Sequence, residues 1–154
     1  MLGFIGYMGV SIFAAMVLMF LYSLVRPIRA NAEFRPGKCM LILSPVLFFI
    51  PYGLVEVQTR LFAGPSMDGA VNDAIQDAQI SRGLLYYKVL YRWGDNARLV
   101  IVGSDDVNWS KDAVERTVLA ATVHKDEDKW NLVGYTVVSS IERGADSTTL
   151  PPFW

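Results

Sequence analysis

The chain has 154 residues, of which 53% are hydrophobic and 19% charged, with a mean hydropathy of +0.31 and one cysteine. A composition this apolar is typical of a small membrane protein with one extramembrane domain, and a single cysteine excludes an internal disulfide. The net charge of −1 hides a segregation: residues 26–38 carry four basic residues and one acidic residue, and residues 56–154 carry 10 basic and 14 acidic ones, a balance that argues against nucleic-acid binding.

The first 25 residues are apolar and contain no charged side chain. At about 1.5 Å per residue, a helix of this length is roughly 37 Å long, against about 30 Å for the hydrocarbon core of a bilayer. We therefore predict a transmembrane helix over residues 2–25. Ala30-Asn31-Ala32 looks like a cleavage site, but the segment lacks the positive n-region and short apolar core of a signal peptide, so we expect an uncleaved anchor.

A second apolar segment, residues 39–60, begins at Cys39 and contains Pro45 and Pro51. Its charge-free part, residues 39–55, would be roughly 25 Å long as a helix, which is the lower limit for a span. Each proline removes a backbone donor and favours a kink. A kinked span is predicted, with a re-entrant or interfacial helix as the alternative. Thiol chemistry is not expected of a cysteine at the start of a span.

The basic loop between the two spans, residues 26–38, predicts their orientation. Short loops rich in Lys and Arg stay on the cytoplasmic side. Both termini and the region after residue 62 would then lie on the periplasmic side of a bacterial inner membrane or its equivalent. The cations expected to hold this orientation and to contact anionic lipids are Arg26, Arg29, Arg35 and Lys38. Docking of an acidic cytoplasmic partner on the loop is the alternative.

Small residues recur along the first predicted span. Gly3, Gly6 and Gly9 repeat every three residues, and Ser11 with Ala15 forms a small-xxx-small pair. Small residues let two membrane helices approach closely. The pattern therefore predicts a packing face for a partner helix, and the ordinary tolerance of glycine in a bilayer is the alternative.

Residues 63–143 are predicted to form an extracytoplasmic α+β domain. Gly64-Pro65-Ser66 marks the exit from the membrane, and apolar residues on one face predict a helix over residues 68–82, capped by Ser66 or Asp68 and stopped by Gly83. The hydrophobic period then changes from 3.6 to 2, which predicts strands over residues 84–93, 98–103, 114–124 and 130–141. Residues 104–112 are predicted to be a polar loop.

This order gives one helix followed by a four-stranded antiparallel meander, with a curved sheet wrapped on the helix. It resembles the cystatin-like and NTF2-like cones at the level of topology. On the first strand, alternation assigns one face to Leu85, Tyr87, Val89, Tyr91 and Trp93. A ligand pocket between helix and sheet, if the domain has one, would be lined by Tyr87, Tyr91, Trp93 and Tyr135.

Side chains that carry chemistry are sparse. His124, the one histidine, is predicted to lie exposed at a strand end, and its pairing with Asp126 or Asp128 as a base is the alternative. The acidic runs at residues 105–112 and 126–128 lack EF-hand spacing and are predicted to be solvated. Glu56 and Arg60 form an i,i+4 pair. No phosphate-binding loop or haem motif is present, so no catalytic residue, cofactor or metal is predicted, and the protein is not expected to be an enzyme.

Large aromatic residues stand in polar surroundings at two places. Trp109 lies in the predicted polar loop, and the tail of residues 144–154 ends in Phe153 and Trp154. These three residues are predicted to contact a partner. Packing of the tail on its own domain or at the membrane interface, where Trp is common, is the alternative.

These features together predict a non-catalytic accessory subunit of a larger integral membrane complex of the respiratory, photosynthetic or transport type. Its partners would be other membrane subunits and lipids. Two alternatives are open: a membrane-tethered ligand-binding or enzymatic domain, and a self-associating scaffold of an envelope-spanning assembly.

Overall fold

The computed structural model describes residues 2–25, 36–107 and 110–152. In chain order the elements are α1 (Leu2–Val25), α2 (Pro36–Phe62), α3 (Pro65–Asp77), β1 (Leu84–Trp93), β2 (Asn96–Val107), β3 (Ser110–Asp126) and β4 (Lys129–Ser139). The strands form one open antiparallel sheet in the order β1-β2-β3-β4. The predicted α+β class, with its four-stranded antiparallel meander, is confirmed.

The chain divides into two compact units. The first holds α1 and α2 up to Gly53, together with Leu150–Pro152. The second begins at Leu54 and holds the last turns of α2, then α3 and the sheet.

Both helices of the first unit are long and apolar enough to cross a membrane. Only 11% of the apolar window of α1 and 6% of that of α2 is buried, so most of their apolar side chains face outward. A core helix of a soluble protein would bury these side chains, whereas a helix in lipid leaves them exposed. α2 continues as a helix through Pro45 and Pro51.

In the second unit, α3 begins and ends earlier than the predicted helix of residues 68–82. Gly64 is its N-cap without a side-chain bond, and Pro65 occupies the first turn, where a missing N–H costs nothing. At the other end Gln79 takes a left-handed φ of 51°, and the N–H of Ile80 donates to the carbonyl of Ile75 over 3.1 Å. This Schellman-type end stops the helix before Gly83 is reached.

The two inner strands are longer than predicted. β2 extends to Val107 and β3 begins at Ser110, so the predicted polar loop over residues 104–112 is wrong for most of its length. The ladder continues through the register pairs Ser104–Arg116, Asp105–Glu115 and Asp106–Val114. Polar residues remain in the sheet here because the buried ones, Asp105 and Glu115, accept hydrogen bonds from other parts of the chain.

The outer strands β1 and β4 have shifts of register against their neighbours. The central ladder between β2 and β3 is regular over residues 96–106 of β2. In β1 the register shifts between Leu84 and Tyr86 and again between Val89 and Tyr91. In β4 the register shifts between Leu132 and Gly134 and again between Val137 and Ser139. Val133 and Val138 are therefore extra residues without a partner in the ladder to β3. One extra residue exchanges the faces of all residues beyond it.

The predicted alternation of β1 therefore fails beyond Val89. Val89 is fully buried and Tyr87 packs against the core, as expected. Past the shift, Tyr91 is opposite Arg98 and Trp93 is opposite Asn96, on the sheet face away from α3, where Tyr91 is 51% and Trp93 84% exposed. The prediction that Tyr91 and Trp93 line a pocket between helix and sheet is wrong.

The main core lies between α3 and the sheet. Met67, Val71 and Ala74 of α3 are fully buried against strand residues that include Leu99, Ile101 and Leu119. The contact is close at Gly103, where an added Cβ would stand 2.8 Å from two carbon atoms of Ile80. A second buried cluster, on the other face of the sheet, consists of Val100, Val102, Val118, Ala120 and Val138.

The free edge of β1 is covered by the last turns of α2. The Thr59 hydroxyl accepts a hydrogen bond from the N–H of Val89 over 2.9 Å, and Glu56 pairs with Lys88. The Arg92 guanidinium lies over the rings of Phe62 (4.9 Å) and Trp130 (5.3 Å). Together with the shifts of register, these contacts block strand addition to this edge.

Candidate functional site

The first candidate surface is the contact between α1 and α2 in the first unit. Tyr7, Ser11 and Ala15 follow one another by four residues on α1, and they are 8%, 5% and 0% exposed. The Tyr7 hydroxyl donates to the carbonyl of Phe48 over 3.0 Å, and the Tyr7 ring contacts those of Phe48 and Tyr52. Ser11 donates to the carbonyl of Tyr7. We call this line of residues the α1 seam; Tyr7 joins α1 to α2, and Ser11 and Ala15 are buried along the same line.

The small residues of α1, which the sequence grouped as one face for a partner helix, lie in two different environments. Ser11 and Ala15 are used inside the chain, whereas Gly6 and Gly9 are exposed, and a Cβ added at Gly3, Gly6 or Gly9 would meet nothing within 4 Å. Large side chains flank the exposed glycines, with Ile5 62%, Val10 61% and Phe13 68% exposed. The outward face of α1 is therefore a shallow glycine surface between bulky apolar residues.

An apolar groove of about 400 Å³ opens beside the seam. Its walls come from both helices: Phe4, Met8, Ser11, Ile12, Ser44, Pro45, Phe48 and Phe49. The Phe4 and Phe48 rings meet edge to face at 5.5 Å between centroids. Such a groove suits an apolar chain, either of a lipid or of another helix.

The second candidate site is a polar cluster on the α3 side of the sheet, around Asp105. Its carboxylate accepts hydrogen bonds from the N–H and hydroxyl of Ser81 (3.0 and 2.9 Å) and pairs with Arg143 over 2.7 Å. The Asp105 side chain is 8% exposed. Arg143 also donates to the carbonyls of Ala78 and Gln79, which are left without helix partners at the end of α3.

The electrostatics of this cluster favour a charged Asp105. Burial raises the pKa of Asp105, but the hydrogen bonds from Ser81 and the Arg143 guanidinium outweigh burial and hold that pKa below its usual value. The predicted solvated aspartate is thus a buried ion. No local signal in the sequence marks it, because its partners lie 24 and 38 residues away along the chain.

Glu115, directly across the ladder from Asp105, is buried as well. It accepts hydrogen bonds from the hydroxyls of Thr117 and Ser140 and from the N–H of Ile141. The two carboxylates are thereby engaged in tying residues 140–143 to the sheet and to the end of α3. Both carboxylates already accept hydrogen bonds from other parts of the chain, so this arrangement stabilises the fold.

The structure shows the surroundings of His124 and of the Glu56–Arg60 pair. His124 is exposed, and its Nδ1 lies 3.0 Å from Asn96 Oδ1, in agreement with a surface residue at a strand end. The Glu56–Arg60 pair is confirmed at 3.1 Å. Among the residues described, no three His, Cys, Asp or Glu side chains gather as a metal site would require.

A third candidate site lies on the sheet face away from α3. A groove of about 360 Å³ crosses β2, β3 and β4 and is lined by Arg98, Ala120, Thr122, Val133, Gly134, Tyr135 and Thr136. Arg98, Thr122 and Gly134 form one row across the strands, and Tyr91 continues that row on β1. We call this the Arg98 groove.

Tyr87, which the sequence placed beside a possible ligand, has a structural partner instead. Its hydroxyl donates to Asp68 at the start of α3 over 2.7 Å. Burial, together with this carboxylate, raises the pKa of Tyr87 to about 12. Tyr135 likewise donates to the carbonyl of Asp77, so both phenols anchor α3 on the sheet.

Several residues with predicted contacts lie outside the described residues: Arg26, Arg29, Arg35, Trp109, Phe153 and Trp154. Lys38 is exposed in the first turn of α2. Cys39 follows it as a free, partly exposed thiol.

Comparison of the chain with known protein families, with curated proteins and with solved structures finds no match.

Proposed function

We propose that this protein is a non-catalytic accessory subunit of a larger integral membrane complex. α1 and α2 would stand in the membrane as a hairpin, and the sheet unit would contact partners outside it. The observation that carries the proposal is the division of α1 into two faces. One face is used for α2 through the seam, and the other presents exposed glycines between bulky apolar residues.

The physical reason is the nature of helix association in lipid. Apolar area alone does not drive two helices together in a bilayer, because lipid chains are as apolar as Leu. Close backbone approach at small residues does favour association. Gly6 and Gly9 offer such an approach, because they are exposed and none of the described residues lies within 4 Å of a Cβ added at either position.

The hydrogen bonds of polar residues in the sheet unit also support a structural role for this protein. Asp105, Glu115, Tyr87 and Tyr135 each bond to another part of the chain. Side chains so engaged hold elements together, whereas a catalytic group needs a free position for its substrate.

The orientation belongs to the same proposal. The basic loop of residues 26–38 would face the cytoplasm, and the sheet unit, with a cone-like arrangement around α3, would lie on the periplasmic or equivalent side of a bacterial inner membrane. Lipids would contact the remaining apolar surface of α1 and α2.

The test is affinity isolation of the tagged full chain from its native membrane in a mild detergent, followed by mass spectrometry. We expect larger integral membrane proteins in fixed stoichiometry. Recovery of the chain alone would contradict the proposal, and recovery of multiple copies of this chain only would favour the self-associating scaffold.

Matched glycine variants sharpen this test. Gly6→Leu and Gly9→Leu place a bulky side chain on the proposed contact face and are expected to remove most of the co-isolated partners. Gly53→Leu changes an exposed glycine of α2 that likewise has no neighbour within 4 Å of its added Cβ, and it serves as the control. Equal losses in all three variants would point to general disturbance of the hairpin.

A membrane-tethered ligand-binding domain is the second candidate, and its support comes from the Arg98 groove. The predicted location between helix and sheet is filled by buried side chains such as Met67 and Leu119. The groove on the opposite face is open, and a ligand hypothesis for this unit would apply there.

A further inference from the structure

The Arg98 groove is distinguished by a half-buried arginine. Among the described residues Arg116 also lacks an ion pair, but Arg116 is exposed. Five cations of the second unit form ion pairs with carboxylates of the same unit, namely Arg60, Arg82, Lys88, Lys125 and Arg143. Arg92 lies over two aromatic rings. Arg98 is half-buried in the groove wall, and within the described part of the chain it has no carboxylate within ion-pair distance.

A half-buried guanidinium without a counter-ion has a specific chemical requirement. Its planar fork matches a carboxylate through two parallel hydrogen bonds, and partial removal from water strengthens that pairing. The hydroxyls of Thr122 and Thr136 line the same groove. Gly134 adds no side chain between them, which leaves room for an incoming group.

Two exposed aromatic residues stand on the same face. Tyr91 is opposite Arg98 in the ladder and is 51% exposed, and Trp93, two residues further along β1, is 84% exposed. Tyr, Trp and Arg are the residues most enriched among the few that dominate binding energy at protein interfaces. Covering a Trp this exposed with an apolar side chain of a partner lowers the free energy of binding.

We propose that the Arg98 groove binds an acidic segment of a partner subunit, in which an Asp or Glu carboxylate pairs with Arg98 and a neighbouring apolar side chain covers Trp93. This inference rests on the proposed function, because it names the chemistry of the partner. A nucleic acid would need several cations within reach, and the row of Tyr91, Arg98, Thr122 and Gly134 supplies one.

The experiment places a photo-crosslinking amino acid at Val133, an exposed residue on the groove rim, in the full chain in its native membrane. Crosslinked peptides are then identified by mass spectrometry. We expect one segment of a partner protein that contains Asp or Glu next to an apolar residue. Crosslinking to lipid, to a second copy of this chain or to a segment without a carboxylate would overturn the inference.

Charge variants provide the second measurement. Arg98→Glu is expected to reduce the crosslink yield by about tenfold or more, since loss of a central arginine at an interface has effects of this size. Arg116→Glu is the matched control: Arg116 is an exposed arginine on the same face, outside the groove and likewise without an ion pair among the described residues, and its yield should stay within about twofold of the wild type. Equal yields for Arg98→Glu and the wild type would overturn the inference.

Further variants separate binding from folding and from the proposed function. Trp93→Ala alters an exposed side chain and is expected to weaken the crosslink without lowering the thermal stability of the sheet unit. Replacing the partner's crosslinked carboxylate by Lys should restore the yield of Arg98→Glu. If partners still co-isolate through the helices while groove variants have no effect, the inference fails and the accessory-subunit proposal stands; if the wild type co-isolates no partner, both fail.

Discussion

At the scale of single residues, Asp105 shows how a polar side chain is accommodated inside this sheet. Burial removes water from the carboxylate. Two hydrogen bonds from Ser81 and an ion pair with Arg143 replace the lost hydration. Such an arrangement contributes to stability only while all its members are present, because removal of one leaves the others buried without partners.

Asp105→Asn is therefore expected to lower the free energy of unfolding by about 2–3 kcal/mol near pH 7. The pKa of Asp105 is lowered in the folded chain, so its contribution is present above the unfolded pKa of about 3.9 and is lost as the pH falls through the folded value. The stability difference between wild type and variant should shrink below about pH 4.

Denaturant unfolding of the detergent-solubilised full chain, followed by tryptophan fluorescence at pH 7, 5 and 3, measures this difference. Asp106→Asn is the control, because Asp106 pairs with Arg82 on the surface and should contribute less than about 1 kcal/mol. A larger loss in Asp106→Asn than in Asp105→Asn would contradict the assignment.

At the scale of elements, the contact between the sheet and the chain after α3 depends on Gly103. A Cβ at this position would stand 2.8 Å from Cδ1 and Cγ2 of Ile80 and 3.2 Å from Cδ1 of Ile75. The side chain of Ile80 is buried in the core and has little room to move aside.

Gly103→Ala is expected to destabilise the sheet unit by about 1–3 kcal/mol through overpacking. Gly134→Ala is the matched control, since a Cβ in β4 would meet nothing within 4 Å. In a double-mutant cycle, Ile80→Ala should relieve part of the cost of Gly103→Ala, and strict additivity of the two changes would show that the close contact is not the cause.

The edge of β1 provides a second test at this scale. Thr59→Val keeps the shape of the side chain but removes the hydroxyl that accepts the N–H of Val89. We expect a loss of about 1–2 kcal/mol and faster hydrogen exchange at the Val89 amide, because this donor lies in a partly buried position. Thr148→Val, an exposed residue of the tail, should change neither quantity. An unchanged exchange rate at Val89 in Thr59→Val would contradict the proposed cover of the edge.

At the scale of the whole molecule, the two apolar helices and the segregated charges lead to a prediction of orientation. In a chain with Cys39→Ser, a new cysteine at position 31 in the basic loop should be protected from a membrane-impermeant maleimide in intact cells, whereas one at position 148 should react. The reason is the retention of short basic loops in the cytoplasm.

Reversal of this labelling pattern would contradict the orientation, and labelling of both positions in intact cells would contradict the two-span topology. Permeabilised cells are the control, since both cysteines should react there. Replacement of the four loop cations by Gln should weaken the preference, because the orientation depends on Lys and Arg near the ends of the spans.

The types and the order of the helices and strands follow from local patterns in the sequence. The length of the two apolar segments predicted both helices of the first unit, and the structure shows two helices that are long and apolar enough to cross a membrane. The change of period after Gly83 identified the strands, because side chains of a strand alternate between faces. These signals are local, and a window of a few residues contains them.

Contacts between distant parts of the chain set which sheet face the residues of β1 occupy, where α3 ends and which partners the buried polar side chains have. The shift of register at Leu90 sends Tyr91 and Trp93 to the opposite face, and such a shift arises from the fit of one strand to its neighbour and to α3. The burial of Tyr7 in the seam depends on the carbonyl and the ring of Phe48 in α2, which lies 41 residues away. Asp105 is buried because Ser81 and Arg143 meet it from distant parts of the chain. These outcomes depend on contacts between residues far apart in sequence, which no local pattern of residues encodes.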